Sequence, residues 1–325
     1  MKRGNDGSWD SFREEKNITP VLRKNLGVAV SPFFPGDVEI TLLTNFFSEN
    51  GSRVYYDCGH VEYATPECRT PYEVVAADIA GGELISEWFA REPGEGRAVF
   101  FKENVGFAPE AIVMSPRQSV FFPSSAFTSF GCHENYSLNA AKVMDVFPVV
   151  NGVVGNQVIS DGYIDKVQMR MAAFLVTRQI LVGAGTFLFG AFRVSARSEF
   201  LRKLKDGQTT NEMRPVLNTR NESHGTVPRL HMILGDANMA QISSLLKVGT
   251  TGLVLDLIEN GLIPEELELA CPGDMPTFVR DIACDPTGKD VTMLLANGQR
   301  WNALQIQRKF YALVARHFRA TERTP

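Results

Sequence analysis

A short alternating segment, residues 51–58, constrains the fold of this chain more than any other feature. Its side chains alternate between Ser52, Val54 and Tyr56 on one side and residues 53, 55 and 57 on the other. Because successive side chains of a β-strand point to opposite faces of the sheet, the alternation predicts a strand. Tyr55 and Asp57 are then expected on the same face of it.

The other segments mix helical and strand patterns. Apolar positions at helical spacing, with Gly and Pro at the boundaries, predict helices that follow Pro71 and that cover 37–47, 165–182, 236–259 and 302–318. Strands are predicted at 214–219 and 230–234. Asp236 is expected to cap the helix 236–259. Residues 106–130 contain several prolines and serines and are expected to form a long loop or an inserted hairpin.

The length and the first residues predict the domain organisation. A chain of 325 residues can bury a sizeable core in one large domain. Residues 1–25 are polar and mixed in charge, so we expect a mobile N-terminal arm followed by a single catalytic domain over 26–325.

Charge and composition exclude several classes of partner. The formal net charge is −4, whereas nucleic-acid-binding proteins usually carry a basic excess, so a nucleic-acid partner is not expected. The sequence has no run of about 18 apolar residues, and residues 1–11 are too polar for a secretory signal. The protein is therefore interpreted as cytoplasmic, without a membrane partner. The 5 cysteines form no CxxC pair, which argues against a disulfide framework and a zinc ribbon.

Candidate chemistry is concentrated at the end of the predicted strand 51–58. Asp57, His60 and Glu62 lie within six residues, and such groups ligate divalent cations or transfer protons. An ordinary solvated turn is the alternative. His133 and His231 also flank predicted strands, but no histidine spacing matches a short zinc motif. From these residues alone, the prediction is a metal-assisted hydrolase or transferase.

Several longer segments resemble the family of Pup ligases and depupylases, enzymes that act on the small bacterial protein modifier Pup. The resemblance extends from about residue 50 to residue 318 in one consistent order. The matching segments are 50–57, 60–69, 131–136 (GCHENY), 174–185 (FLVTRQILVGAG), 214–224 (RPVLNTRNESH) and 229–256 (RLHMILGDANMAQISSLLKVGTTGLVLD).

The resemblance implies an α+β fold, with a curved antiparallel β-sheet cradle backed by helices, as in glutamine synthetase and the carboxylate-amine ligases. It implies that Asp57 is the catalytic group. It also implies that Glu62, His133 and His231, with Tyr55, are metal ligands, and that the ligands of the protein are Mg2+ and a bound phosphate or nucleotide.

The family motifs also suggest residues for the nucleotide or Pup-tail region. These residues are Arg178, Arg214, Asn218, Arg220 and Asn104. For Arg178, a surface ion pair on a helix is the alternative. The implied partners are Pup and pupylated proteins.

The chain departs from the family pattern in three places. The family begins with a GIETE strand whose glutamate holds magnesium, and residues 1–30 contain no equivalent. The family segment FKNNTD is replaced by FKENVG at 101–106, and the family continues into a smaller C-terminal domain beyond the match. Because phosphoryl transfer depends on magnesium and phosphate stabilisation, these departures argue against ATP turnover.

The departures favour hydrolysis over ligation, because hydrolysis of an isopeptide bond is downhill and needs no ATP. The spacing from Asp57 to Glu62 also resembles the depupylase pattern. We therefore predict a depupylase, an isopeptide hydrolase of the pupylation and proteasome pathway. The alternatives are an ATP-dependent Pup ligase, a pseudoenzyme that binds Pup without chemistry, and an enzyme for another glutamyl or glutaminyl amide.

Overall fold

A computed structural model describes most of the second half of the chain and parts of the first. The described residues are 45–57, 60–90, 102, 105–107, 127–139, 142, 166–188, 190–207, 214–218 and 229–321. Contacts divide the chain into two compact units, 1–101 and 102–325. The predicted arm, 1–25, lies outside the described residues, and the single catalytic domain over 26–325 stays a prediction.

The first unit contains a three-stranded antiparallel sheet and one helix. Its strands are β1 (Asn45–Phe47), β2 (Arg53–Asp57) and β3 (His60–Ala64). The sheet order is β1-β2-β3, with Asn45 opposite Tyr55. The strand predicted at 51–58 is confirmed. The helix predicted at 37–47 is wrong for its last three residues, because these pair with β2.

Helix α1 (Pro71–Ala90) begins with a capping box, as the sequence predicts for a helix entered at Pro71. The Glu73 amide donates to Thr70 Oγ1 at 3.2 Å, and the Thr70 amide donates to Glu73 Oε2 at 3.3 Å. The two side chains thus satisfy amides that the first helical turn leaves without partners.

Gly81 allows the ring of Tyr63, on β3, to lie against α1. A Cβ atom at Gly81 would be 2.4 Å from Tyr63 Cε1, whereas a Cβ at the neighbouring Gly82 would meet nothing within 4 Å. The closest approach of the sheet to the helix therefore depends on one of two adjacent glycines.

Exchanging these glycines for alanine should change stability in opposite directions. We expect Gly81→Ala to destabilise the protein by about 1–3 kcal/mol through overpacking. Gly82→Ala, the matched control, should stabilise it by roughly 0.5–1 kcal/mol, because alanine is the better residue inside a helix. Urea unfolding measures both variants. Equal stabilisation would mean that Tyr63 moves aside without loss.

The second unit is built around a four-stranded mixed sheet. Its strands are β6 (Cys132–Ser137), β9 (Lys203–Asp206), β10 (Pro215–Asn218) and β11 (Arg229–Gly235). The sheet order is β6-β11-β10-β9, and β9 runs parallel to β10 while the other pairs are antiparallel. The prediction of an entirely antiparallel sheet is therefore wrong at this edge.

Three two-stranded ribbons accompany this sheet. They are β4 (Gly106–Phe107) with β5 (Phe127–Thr128), β7 (Thr186–Leu188) with β8 (Ala191–Arg193), and β12 (Thr292–Leu294) with β13 (Arg300–Asn302). The β4–β5 pair joins the two ends of the segment for which a loop or an inserted hairpin was predicted. Residues 108–126, between these strands, lie outside the described residues.

Helices cover one face of the four-stranded sheet and bury the main core. They are α2 (Lys166–Thr177), α3 (Gln179–Val182), α4 (Gln241–Glu259), α5 (Met275–Ala283) and α6 (Ala303–Thr321). Met232 and Leu234 of β11 point into this core with Phe174 and Phe310, whose rings meet edge to face at 5.3 Å. The opposite face of the sheet carries the polar residues of the candidate site. An α+β class is confirmed by this arrangement.

Asp236 does not cap α4, which begins five residues later at Gln241. Its buried carboxylate instead accepts hydrogen bonds from Ala184 N at 2.8 Å, Ser195 Oγ at 3.1 Å and Arg197 N at 2.9 Å. The predicted cap is therefore wrong, because the side chain turns back to join the segments on either side of β7 and β8.

Helix α4 is, among the described residues, the one helix long and apolar enough to cross a membrane. Core helices of folded proteins can also have this length and this hydropathy. Val254, Leu257 and Ile258 of α4 are buried in the core of the second unit, and the ammonium of Lys247 donates to Asp236 O at 2.7 Å. These contacts identify α4 as a core helix.

Candidate functional site

In the first unit, the β2–β3 hairpin brings two predicted site residues together. Tyr55 lies directly opposite Glu62, and its hydroxyl donates to Glu62 Oε1. Asp57 is the last residue of β2 and pairs with His60 across the turn. The side chain of Asp57 lies outside the described part of the structure, as do Asn104 and Arg220.

Arg53 packs on the same face of the hairpin. Its guanidinium lies 4.1 Å from the centre of the Tyr55 ring and 5.7 Å from that of Phe47. Such cation–π contacts restrict the ring, so Arg53 helps to hold Tyr55 against Glu62. Arg53 is absent from the predicted site residues, although the alternation in 51–58 places it on the face of Tyr55 and Asp57.

In the second unit, the polar face of the sheet brings together His133, His231 and Asn218. His133 Nδ1 lies 3.2 Å from His231 Nε2, across β6 and β11, and Asn218 of β10 lies opposite His231. His231 and Asn218 are buried, whereas His133 keeps an exposed surface. Three of the predicted residues thus share one face.

Arg197, which the sequence analysis missed, is buried at the end of this face. Its Nε donates to Ile233 O at 2.9 Å, and its Nη1 donates to Ser129 O. These described hydrogen-bond partners of the guanidinium are main-chain carbonyls, and the nearby carboxylate of Asp236 favours its charged form. Burial and then Arg214 lower the pKa of Arg197 to about 9, which leaves it charged near neutral pH. The result is a fixed positive charge in a partly dry environment.

The same charges act on His133. Withdrawal from water, followed by the charges of Arg197, His231, Arg214 and Arg229, lowers the pKa of His133 from 6.5 to about 3. Both effects disfavour the imidazolium, so the imidazole is neutral at physiological pH. A neutral imidazole beside several guanidinium groups makes this face attractive to an anion.

A titration of His133 should give a pKa that is lowered from 6.5. Because the ring keeps an exposed surface, solvent screening should place its measured pKa between about 3 and 6.5. At pH values between these two limits, the unfolded chain binds more protons at His133 than the folded chain does. His133 therefore lowers the free energy of unfolding as pH falls through this range. NMR of the imidazole as a function of pH measures the pKa. A value at or above 6.5 would contradict the electropositive face.

Arg178 lies on the other side of the sheet. Its side chain is fully buried, and its Nη1 donates to Glu134 Oε2 at 3.0 Å and to Thr251 Oγ1 at 2.5 Å. Its guanidinium is directed into the core, and the assignment of Arg178 to the nucleotide or Pup-tail region stays a prediction. The alternative of a surface ion pair is wrong, since the partner is a buried glutamate on β6.

The predicted metal ligands differ in chemistry. Glu62 and Tyr55 offer oxygen donors, which Mg2+ prefers, whereas His133 and His231 offer nitrogen donors, which suit zinc, iron or copper better. In the ranges that the structure describes, no group of three or more His, Cys, Asp and Glu residues could hold a metal ion. The hairpin pair therefore fits Mg2+, and a site with all four ligands stays a prediction.

Comparison with known proteins gives one consistent family. A model described as Pup-ligase protein matches residues 7–325. The Pup–protein ligase of Nocardia farcinica is 33% identical over 87% of this chain and 56% of that protein. The Pup–protein ligase of Saccharomonospora viridis is 34% identical over the same shares. The chain thus spans just over half the length of these curated relatives.

Two solved structures are similar to the whole of this chain. The Pup ligase PafA in complex with ADP has a TM-score of 0.61 at 27% identity, over 98% of this chain and 60% of the other. The complex between Pup and its ligase PafA has a TM-score of 0.64 at 27% identity, over 98% of this chain and 56% of the other.

These comparisons correct the predicted direction of the reaction. The relatives are named ligases, and one solved ligase holds ADP, so the prediction of a depupylase, hydrolase or isopeptidase is wrong. The expectation that ATP turnover is lost is not confirmed. The spacing from Asp57 to Glu62 therefore does not distinguish a hydrolase from a ligase.

Proposed function

Because this chain belongs to the Pup-ligase family, we propose that it takes part in the ATP-dependent formation of an isopeptide bond between Pup and protein lysines. The observation that carries the proposal is its similarity, over 98% of its length, to a ligase solved with ADP. Pup and lysine-bearing proteins are the proposed partners. Because the reaction consumes ATP, we place it in the cytoplasm.

The proposed reaction has two steps. A carboxylate of the C-terminal residue of Pup attacks the γ-phosphorus of ATP, which forms an acyl phosphate and releases ADP. The amine of a lysine then attacks the acyl carbon, the phosphate leaves, and the amine loses a proton to a base. Conversion of ATP to ADP and phosphate thus drives an otherwise uphill condensation.

The β2–β3 hairpin supplies the base and the cation ligands in this proposal. Asp57, the residue that matches the catalytic aspartate of the family, accepts the proton of the lysine amine. Glu62, held by the hydroxyl of Tyr55, provides an oxygen ligand for Mg2+. Mg2+, when bound, neutralises charge on the phosphates.

The polar face of the second unit binds negative charge. Arg197 and Arg214 provide cations, and Asn218 and the neutral His133 provide hydrogen-bonding groups that carry no charge of their own. Preorganised donors of this kind stabilise phosphate and acyl-phosphate oxygens. Asn104 and Arg220 remain proposed residues of the nucleotide region. For the fold, the glutamine synthetase-like cradle also remains a proposal.

A conjugation assay tests the proposal. Purified protein is mixed with labelled Pup and a lysine-bearing acceptor, with and without ATP and Mg2+. We expect a conjugate and an equal amount of ADP only when ATP is present. Binding of Pup without any conjugate would instead indicate a Pup-binding pseudoenzyme, and the absence of both binding and conjugation would contradict the proposal.

A charge variant tests the anion-binding face separately. Arg214→Gln should weaken nucleotide binding by about 10- to 100-fold, as expected for the loss of one charge-assisted hydrogen bond of about 1.5–3 kcal/mol. Arg280→Gln, which removes an arginine from α5, is the matched control and should bind normally. Equal affinities of the two variants would remove Arg214 from the site.

A further inference from the structure

A buried polar cluster lies behind the candidate site, on the core side of the sheet. Arg178 binds Glu134 through Nη1 and Nη2, with Nη1 at 3.0 Å from Oε2, and the Tyr136 hydroxyl donates to Oε2 at 2.8 Å. Thr251 of α4 accepts a hydrogen bond from the same Arg178 Nη1. A single carboxylate thus links β6 to the break between α2 and α3 and, through Arg178, to α4.

Electrostatics keep this cluster ionised. The Arg178 guanidinium faces both oxygens of the Glu134 carboxylate, and a cation in this position favours the ionised carboxylate. Removing one partner would leave a charge buried without its counter-ion, which is strongly unfavourable. An apolar pair of the same size could hold the core equally well. The stability of the core therefore does not explain why these two residues are charged.

The position of Glu134 between β6 and β11 indicates a role for the charged pair. His133 and Glu134 are consecutive in β6, so they point to opposite faces of the sheet. The carboxylate also touches β11, because a Cβ atom at Gly235 would be 2.6 Å from Glu134 Oε1. Strand β11 shifts register between Met232 and Gly235 next to this contact. Glu134 therefore fixes both strands that carry the two imidazoles.

A hydrogen bond between ring nitrogens tolerates little movement. N–H donors and their acceptors lie about 2.7–3.2 Å apart, and the bond weakens steeply as its angle falls. The distance between His133 Nδ1 and His231 Nε2 is 3.2 Å, at the long end of this interval. A small rotation of β6 about its own axis would break the contact.

We propose that the Glu134–Arg178 ion pair is a positioning device for the His133–His231 pair. By anchoring β6 and abutting β11 from the core side, it sets the distance between the two imidazoles on the polar face. The role of these imidazoles in anion binding rests on the proposed function, whereas their positioning by the ion pair does not. Glu134 and Arg178 are both buried, on the core side of the sheet.

The test compares two glutamate variants. Glu134→Gln removes the charge of the anchor, and Glu268→Gln removes the charge of a second ion pair, in which Glu268 Oε1 lies 2.7 Å from Arg170 Nη2. That pair joins α2 to the segment after residue 264 and touches neither β6 nor β11 in the described structure. Imidazole ¹⁵N–¹H spectra of the ligand-free protein report the hydrogen bond directly.

We expect Glu134→Gln to abolish the protected imidazole N–H signal of the His133–His231 pair and Glu268→Gln to retain it. Tyr136→Phe removes the hydroxyl that contacts Glu134 and Thr251 but keeps the Glu134–Arg178 charges, so it should weaken the signal in a folded protein even if Glu134→Gln does not fold. An unchanged signal in Glu134→Gln would overturn the proposal. If Glu134→Gln does not fold, an unchanged signal in Tyr136→Phe would overturn it. Equal loss in the control would overturn it too.

Kinetics separate this inference from the proposed function. In an active ligase, Glu134→Gln should lower kcat or nucleotide affinity, and Glu268→Gln should leave both near normal. If the protein shows no conjugation at all, the proposed function fails while the spectra still decide the positioning role. Loss of activity in both variants with unchanged spectra would reduce the ion pair to a structural role.

Discussion

Asp57→Asn should reduce the ATP-dependent conjugation of Pup to lysine by roughly 10²–10⁴-fold, the factor that a positioned general base contributes. Asparagine has nearly the same shape as aspartate but cannot accept the proton of the lysine amine. Asp57 ends β2 two residues after Tyr55, so the hairpin itself should survive the change. Single-turnover conjugation at saturating ATP and Pup measures the loss.

The control for this variant is Glu83→Gln, which removes an exposed carboxylate from α1 in the same unit. It should conjugate at the normal rate. The Asp57→Asn variant should still bind Pup and nucleotide, because binding does not require proton transfer. Conjugation by Asp57→Asn at the rate of the control would show that the base lies elsewhere.

The predictable parts of this chain are those in which local pattern and tertiary context agree. The alternation in 51–58 gives strand β2, and the Thr70–Glu73 capping box gives the start of α1. Strand β1 was missed because Asn45–Phe47 is too short for a pattern of its own and exists through its pairing with β2. Its strand character is a property of the neighbour as much as of its sequence.

The site residues show the same limit. His133, His231 and Asn218 could be named from family motifs, because those motifs retain the residues of one sheet face. The pairing of Arg178 with the buried Glu134 was not predicted, since Glu134 is 44 positions away and sequence cannot tell which face of the sheet an arginine meets. Arg197 was missed for a related reason: carbonyls of two distant segments hold it.

Asp236 also belongs with these long-range residues, and its replacement should have the largest effect on stability. Asp236→Asn is expected to destabilise the second unit by about 2–6 kcal/mol. The carboxylate accepts four hydrogen bonds, from three amides and the Ser195 hydroxyl. An asparagine keeps one acceptor oxygen and turns an NH2 group toward donors, which leaves about two buried groups unsatisfied at about 1–3 kcal/mol each.

Asp256→Asn is the matched control, because it changes the same residue type within α4. The Asp256 carboxylate is 43% exposed and contacts His317 Nε2 at 2.8 Å. Pairs of this kind contribute about 0–1 kcal/mol, so the control should unfold near the wild-type denaturant midpoint. Guanidinium unfolding followed by circular dichroism measures both variants.

Asp236→Asn and Asp256→Asn should differ in their effect on nucleotide binding at the polar face. Asp236 holds the main-chain amide of Arg197, so a folded Asp236→Asn protein should bind nucleotide more weakly as well as unfold earlier. Asp256 has no described contact with that face, so its replacement should leave nucleotide affinity unchanged. If Asp236→Asn lost stability but bound nucleotide normally, Arg197 would hold its position through Ile233 and Ser129 alone, and Asp236 would serve the fold rather than the site.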